Sequence, residues 1–193
     1  MKKIFLAVLS SWLLLTSNAF ASVEKYKIDI KGAHAFIQFR VKHLGYSWLY
    51  GRFNDFDGSF EIDRSNLENS KINVDIDVTS IDSNHAERDK HLRAEEFLYV
   101  DKYPNAKFVS TGLKLNEGGK AGTLTGNLTL RGVTKPIDIA VELVGEGKDP
   151  WGGYRVGFEG KTTFKMKDFG INRDLGPAST EVEMMLTVEG IKL

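Results

Sequence analysis

Apolar and polar residues alternate along most of this chain, and this period of two constrains the fold more than any other feature. From Lys71 to Thr79, polar residues separate Ile72, Val74, Ile76 and Val78. Successive side chains of an extended strand point to opposite faces, so this stretch is predicted to be a strand with one dry and one wet face. The same alternation recurs in five further runs, whose apolar sets lie at 37–41, 124–130, 137–143, 154–158 and 182–188.

Turn-forming residues separate these runs. Examples are Asp57-Gly58, Arg131-Gly132 and Gly176-Pro177, together with the glycine-containing stretches 116–119 and 149–153. Many short strands at even spacing, with no helices between most of them, indicate an antiparallel sandwich or barrel. The pattern predicts an all-β domain of about eight strands.

One segment, from Asn84 to Leu98, lacks the alternation and is rich in helix formers. Asn84 and Glu87 have the spacing of a capping arrangement at a helix N-terminus. We predict a short helix inserted between strands. One side would rest on the sheet through Leu92, Phe97 and Leu98, and the side facing water or a rim would carry Arg88, Asp89, Lys90 and Arg93.

The first 21 residues have the three parts of a secretory signal peptide. Lys2 and Lys3 are basic, residues 4–15 form an apolar run, and Ala19 and Ala21 are small residues at a processing point. The apolar run is shorter than the about 20 residues that span a bilayer, which disfavours an uncleaved anchor. We predict cleavage after Ala21, leaving one domain at residues 22–193 without a membrane-spanning segment.

Charge and cysteine content exclude several classes of function. The chain has 26 basic and 26 acidic residues, and loss of Lys2 and Lys3 leaves 24 against 26. No basic excess therefore exists to neutralise nucleic-acid phosphates. The absence of cysteine excludes disulfides, thiolate zinc sites, thiol catalysis and a lipid anchor on an N-terminal cysteine.

Glycine and aromatic residues bear on whether the barrel interior is filled. Glycines inside strand-like runs, namely Gly112, Gly126, Gly157 and Gly160, fit either a cavity or ordinary barrel curvature with bulges and close backbone approaches. Six aromatic residues fall within fifteen positions. They form either core or the rim of a mouth for an apolar ligand: Tyr46, Trp48, Tyr50, Phe53, Phe56 and Phe60.

The histidines form no recognisable catalytic or metal motif. His34 and His43 are expected on opposite faces of one extended run, and His85 and His91 do not share a helix face. A metal site would need histidines from distant strands, since no i, i+4 pair occurs. A G-x-S-x-G elbow and a phosphate-binding glycine loop are also absent. The residues therefore predict no catalytic group, no metal and no cofactor.

Nine stretches become distinctive when they are taken together and in order. They are residues 26–29, 34–36, 43–51, 55–58, 79–82, 84–93, 102–104, 128–136 and 149–153. In these stretches the chain resembles the YceI-like family of bacterial lipid-binding proteins, and its enterobacterial periplasmic branch in particular. The resemblance implies an eight-stranded antiparallel lipocalin-like barrel with a helix at one end. It also implies a periplasmic location and is compatible with homodimers.

The same resemblance implies a long apolar tunnel for an isoprenoid quinone or another long-chain amphiphile. We expect a carrier without enzymatic activity. Either strand face could be the inner one, so the candidate lining is provisional: Phe36, Phe39, Val74, Ile76, Phe108, Leu128, Ile139, Val141, Phe158 and Met184. The candidate mouth is His43, Tyr46, Trp48, Arg88 and Asp89.

Two other functions stay open from the sequence. One is an enzyme that modifies such a lipid through His85, His91 and Asp89. The other is a structural or stress-related interaction protein with a filled core. The sequence does not choose among head groups, tail lengths or oligomeric states, nor among carriage, storage and protection of the lipid.

Overall fold

The structure is a computed structural model that describes residues 23–193, so the predicted signal peptide lies outside the described residues. Strands dominate this part of the chain. In order they are β1 (Val23–Ile28), β2 (Phe36–His43), β3 (Ser47–Phe53), β4 (Phe56–Asp63), β5 (Lys71–Asp77), β6 (Ile81–Asp82), β7 (Asn105–Leu115), β8 (Ala121–Leu130), β9 (Val133–Lys148), β10 (Tyr154–Lys165) and β11 (Glu181–Lys192). One α-helix, α1 (Ala86–Arg93), links β6 to β7, and 3-10 turns lie at Leu67–Asn69, Val78–Ser80 and Met166–Phe169.

Eight of these strands close into an antiparallel barrel. Their order is β1-β4-β5-β7-β8-β9-β10-β11, and pairing of β1 with β11 closes the ring. The edge of β11 that faces away from β10 has two partners. Gly190–Lys192 pair with β1, whereas Glu183–Thr187 pair with β2. The β2–β3 hairpin (residues 36–53) therefore leaves the ring beside β11. The predicted eight-stranded antiparallel barrel is confirmed.

The barrel has two distinct ends. Helix α1 and the start of β7 mark one end, which we call the helix end. The β4–β5 and β7–β8 connections lie at the opposite end, which we call the far end, because neighbouring strands run antiparallel. The long β9 and β10 connect the two ends.

Alternation along the strands sorts side chains between the interior and the surface. In β5, Val74 and Ile76 are buried, whereas Asn73 and Asp75 are exposed. Inside the barrel, the Phe60 ring packs edge-on against Phe158 at 5.9 Å and stacks on Tyr26 at 4.9 Å. Such pairs are worth about 1 kcal/mol beyond the burial of their area, so they tie three separate strands together.

The strand glycines serve close packing and bulges. A Cβ on Gly126 would lie 2.3 Å from Cζ of Phe108, so the phenylalanine ring occupies the place of a side chain. Gly112 and Gly157 lie at register shifts of the β7–β8 and β9–β10 pairings. These features accentuate bending of the sheet, as a small closed barrel requires.

Helix α1 forms where the alternation stops, but its N-terminal cap differs from the prediction. The side chain of His85, not of Asn84, accepts a hydrogen bond from the Arg88 amide. Asn84 instead has a φ of 61°, a left-handed conformation that places it in the turn before the helix. Leu98 is buried, and Leu92 and Phe97 pack against the core as predicted.

Candidate ligand cavity

The barrel encloses a cavity of about 1350 Å³. Its wall consists mainly of the inward apolar side chains of the alternating strands. Strand β9 illustrates the pattern, since Ile137, Ile139, Val141 and Leu143 all line the cavity. The volume exceeds the upper range of about 1,000 Å³ for common small-molecule sites, and such sites are typically apolar with few polar groups.

The structure places nine of the ten candidate lining residues on this wall. They are Phe39, Val74, Ile76, Phe108, Leu128, Ile139, Val141, Phe158 and Met184. Phe36 does not line the cavity and is 40% exposed. It is three residues from Phe39 on the same strand, and residues at odd spacing point to opposite faces. Placing both side chains inside was therefore wrong, whereas contact of the other nine with a lipid stays a prediction.

Most polar residues of the lining fall into two groups at the two ends. The far-end group is Glu61, Arg64, Ser70, Lys71, Lys120 and Glu146. The helix-end group comes from the β2–β3 hairpin, α1 and the loop before β11, and comprises Lys42, His43, Ser47, Ser83, Asn84, His85, Glu87, Arg88, His91, Asp174 and Ser179. A slender amphiphile would thus meet polar groups mainly at its two extremities.

At the far end, Arg64 is held by a network of ion pairs. Its guanidinium donates hydrogen bonds to Glu24 at 2.7 Å and to Glu146 at 2.5 Å. Lys192 and Arg64 hold the pKa of Glu24 at about 2, and burial together with Glu24 raises the pKa of the Tyr26 hydroxyl to about 12. The charges of Arg64 are thus balanced by neighbouring carboxylates, and its donors are occupied by the protein itself.

At the helix end, Arg88 is held without a carboxylate partner. Its Nε donates to the Ser83 hydroxyl at 2.8 Å, and another nitrogen donates to the Ser83 carbonyl at 2.5 Å. None of the ion pairs among residues 23–193 involves Arg88 or Lys42. These two cations are therefore available to a polar or anionic group at this end.

The mouth of the cavity lies along an unpaired strand edge. Strand β3 pairs with β6 only through Arg52 and Phe53, so the preceding residues have no strand partner on that side within the described chain. Four consecutive residues, Ser47–Tyr50, all line the cavity although their side chains alternate between faces. The cavity consequently reaches the β3 edge, and His85, Arg88 and His91 of the helix region line the same end.

Three of the five candidate mouth residues, His43, Trp48 and Arg88, line this end. Tyr46 does not line it; it lies in the hairpin turn and is 88% exposed. Asp89 is also not in the lining and is only 7% exposed. Its carboxylate accepts hydrogen bonds from the amide and hydroxyl of Ser83. The expectation that Asp89 faces water or a rim was wrong, because it anchors the helix beneath the surface.

Comparison with known proteins identifies the family. The model of the YceI-like domain matches residues 26–190. A UPF0312 protein of Pseudomonas aeruginosa is 59% identical over 192 residues, covering 100% of both chains. The chain belongs to the YceI-like family. A YceI protein structure from Campylobacter jejuni is 28% identical with a TM-score of 0.71, covering 79% of this chain and 90% of that one.

The YceI-like fold extends to a more distant structure. A polyisoprenoid-binding domain of Saccharophagus degradans, implicated in plant cell wall breakdown, has a TM-score of 0.65 at 16% identity, covering 87% of this chain and 98% of that one. At that identity the likeness shows the fold alone. Across residues 23–193 of this YceI-like chain, no helix has the length and apolar character needed to cross a bilayer.

The groups considered for catalysis are not assembled into one site. His85 caps the helix, His91 lies 3.5 Å from Glu96, and Asp89 is occupied by Ser83. Among the described residues these three make no hydrogen bond to one another. General acid–base catalysis requires such groups within hydrogen-bond reach of each other or of a common substrate atom, so this arrangement gives the enzyme hypothesis no support.

A second cluster of charged groups lies outside the barrel wall. Asp29 accepts hydrogen bonds from His34 Nδ1 at 2.9 Å and Arg155 at 2.6 Å, and these partners hold its pKa at about 2. Glu189 lies 3.8 Å from the same His34 nitrogen. The three residues have metal-ligand types, but the Arg155 guanidinium already occupies their centre and neutralises the carboxylates. The cluster is therefore a structural ion-pair network joining β1, β10 and β11.

Sequence reasoning missed the residues that form the ion-pair network at the far end. Arg64 lies 40 positions from Glu24 and 82 from Glu146, and these carboxylates give no local signal of their pairing. It also missed Ser83, which joins Asp89 and Arg88. Only the closure of the ring brings β1, β4 and β9 side chains to one place.

Proposed function

We propose that this YceI-like protein binds a single isoprenoid lipid, such as an isoprenoid quinone, and carries it through the periplasm. The observation that carries the proposal is the apolar cavity of about 1350 Å³ with polar residues gathered mainly at its ends. A long apolar tail with a small polar head matches that distribution. The name of the Saccharophagus domain, which describes polyisoprenoid binding on the same fold, supports the same class of ligand.

Burial of the tail supplies enough energy without a charged anchor. Each buried methylene contributes about 0.8 kcal/mol, so ten contribute about 8 kcal/mol before the costs of binding. That is the scale of micromolar affinity, which permits both loading and release. The head group would lie at the helix end, where the cavity reaches the unpaired β3 edge beside Arg88, whereas Arg64 at the far end is already paired with Glu24 and Glu146.

Periplasmic carriage rests on the sequence of residues 1–21, which has the pattern of a cleaved signal peptide. An isoprenoid tail cannot cross an aqueous compartment unaided, because water disfavours its apolar surface. An exported barrel with a closed apolar interior would remove that obstacle. No catalytic step is part of the proposal.

The proposal is tested by what the protein binds when it is purified without detergent. Solvent extracts analysed by mass spectrometry should contain an isoprenoid lipid, and stripped protein should take up isoprenoid quinone in vitro. An empty barrel that also fails to take up quinone would refute the carrier function and favour a structural role. Chemical conversion of the bound lipid by the intact protein would instead favour the enzyme hypothesis.

A matched pair of variants locates binding inside the barrel. Val141→Trp places an indole in the cavity, whereas Val144→Trp places it on the outer face of the same strand, where valine is 66% exposed. We expect the first variant to lose most quinone uptake and the second to retain it. Equal uptake by both variants would show that the lipid binds elsewhere.

A further inference from the structure

The β2–β3 hairpin (residues 36–53) carries an unusual concentration of exposed apolar side chains. Large hydrophobic residues that are strongly exposed number eight among the described residues, and four of them belong to this hairpin: Phe36, Leu44, Tyr46 and Tyr50. Leu44 is 56% exposed and Tyr46 is 88% exposed, and both lie in the turn between β2 and β3. Exposed apolar residues concentrated on one element in this way are typical of interaction sites.

The charge of the hairpin has one sign. Residues 36–53 include Arg40, Lys42, His43 and Arg52, and they contain no aspartate or glutamate. Arg40 is paired with Glu183 and Arg52 with Asp82, whereas Lys42 has no carboxylate partner among residues 23–193. A cationic, acid-free segment with protruding apolar residues complements an anionic lipid surface, to which each nearby lysine or arginine adds attraction.

Aromatic and cationic side chains are layered on the outer face of the hairpin. The Arg40 guanidinium lies 4.0 Å from the centre of the Trp48 ring, and the Lys42 ammonium lies 5.5 Å from it. Tryptophan and tyrosine prefer the region between lipid headgroups and hydrocarbon, where one end of the ring is apolar and the other is hydrated. Basic side chains beside them can reach phosphate groups.

The same residues border the cavity mouth. Leu44 and Ser47–Tyr50 line the cavity, so the exposed apolar surface of the hairpin is continuous with the apolar interior. A lipid tail that leaves a bilayer at this edge would meet protein rather than water along its path. From this continuity and the charge of the hairpin, we propose that the β2–β3 hairpin docks the protein onto anionic phospholipid bilayers. In this orientation the cavity mouth faces the bilayer.

This inference rests on the proposed lipid-carrier function, and the test separates the two. Stripped protein is incubated with vesicles of phosphatidylglycerol and phosphatidylethanolamine in equal parts, or of phosphatidylcholine alone, and binding is measured by co-sedimentation. Uptake of a short-tailed quinone in vesicle-free buffer is measured in parallel. We expect binding to the anionic vesicles, with weakening at high salt.

Matched variants assign the binding to the hairpin. Tyr46→Ser and Lys42→Glu should each weaken vesicle binding about ten-fold or more, since one removes an interfacial aromatic and the other reverses a charge. Their controls are Trp151→Ser, whose tryptophan is 78% exposed in the β9–β10 loop at the far end, and Lys148→Glu at the end of β9. Both controls should bind vesicles like the parent chain. Circular dichroism verifies that each variant is folded.

Three results would overturn the docking proposal. One is quinone uptake in buffer without binding to anionic vesicles, which would leave the carrier function intact. Another is equal loss of vesicle binding in the hairpin variants and their controls. The third is a hairpin that mediates pairing of two copies instead, seen as a dimer in sedimentation that Tyr46→Ser dissociates while vesicle binding is unchanged.

Discussion

The affinity for isoprenoid quinones should rise with tail length and then level off when the tail fills the cavity. Strand β9 contributes lining residues from Ile137 to Glu146, which are nine positions apart. At about 3.4 Å per residue and a strand tilt of about 40°, that stretch spans about 23 Å along the barrel axis. One isoprene unit adds about 5 Å to an extended chain, so about five units span the lined stretch.

Each unit inside this span should contribute strongly to binding. Five carbons at about 0.8 kcal/mol give about 4 kcal/mol, and the loss of torsional freedom reduces this to about 2 kcal/mol. The dissociation constant should therefore fall about 30-fold for each of the early units. Beyond about the fifth unit the chain must fold back or protrude, and the step should become much smaller.

Competition against a fluorescent prenyl probe in detergent-free buffer measures these dissociation constants for short-tailed quinones. Mass spectrometry of exchanged cargo ranks the less soluble long-tailed ones. Val141→Trp, near the middle of the lined stretch, should move the break to about two or three units. Val144→Trp on the outer face should leave it in place. An affinity that is independent of tail length would show that the tail does not lie along the barrel axis. So would a gain in affinity per isoprene unit that stays the same beyond the fifth unit.

Three further predictions concern the folded state. Asp29→Asn should lower the free energy of unfolding by about 2 kcal/mol at neutral pH, because the native pKa of about 2 lies below that of the unfolded chain. In urea denaturation, the difference in the free energy of unfolding should be complete above about pH 4 and should disappear as the pH falls towards 2. A difference that stays constant with pH would contradict the lowered pKa of Asp29. Asp89→Ala leaves the Ser83 donors unpaired and should lower the free energy of unfolding by about 2 kcal/mol. An unchanged midpoint of urea denaturation would contradict this prediction. Gly126→Ala should lower the free energy of unfolding by about 1–3 kcal/mol, because its Cβ would lie 2.3 Å from Cζ of Phe108 and 2.7 Å from the backbone oxygen of Val109; an unchanged melting temperature would contradict this.

The barrel could be predicted from the sequence because its cause is local. A strand with one buried face has an apolar residue at every second position. In β5 the buried Val74 and Ile76 alternate with the exposed Asn73 and Asp75. Counting such strands and turns was enough to predict an antiparallel sandwich or barrel of about eight strands, and the resemblance to the YceI-like family selected the closed barrel. Parity then grouped the residues that share a face. Phe36 shows how strictly the parity rule holds, since its odd spacing from Phe39 was sufficient to place it outside.

The details around helix α1 could not be predicted, because they depend on a backbone turn and on a side-chain pairing that residue spacing does not express. Whether Asn84 or His85 caps α1 depends on a backbone turn, with Asn84 at a φ of 61°, that no spacing rule expresses. Asp89 is buried because its carboxylate accepts hydrogen bonds from Ser83, which lies in the turn between β6 and α1. Of the candidate mouth residues, His43, Trp48 and Arg88 line the helix end of the cavity, whereas Asp89 is buried and Tyr46 lies outside the lining.

The difference between the two ends also gives the cavity a direction. At the far end, Arg64 has its charge balanced by Glu24 and Glu146, so the protein satisfies these groups without a ligand. At the helix end, the β3 edge has unpaired backbone groups and Arg88 has no carboxylate partner among residues 23–193, so both can interact with a polar group of an incoming molecule. Passage of a polar head through the apolar interior of the barrel would require its desolvation, which costs several kcal/mol. For the proposed lipid, entry of the tail first at the helix end, with the head held beside α1, avoids moving the head through the apolar interior.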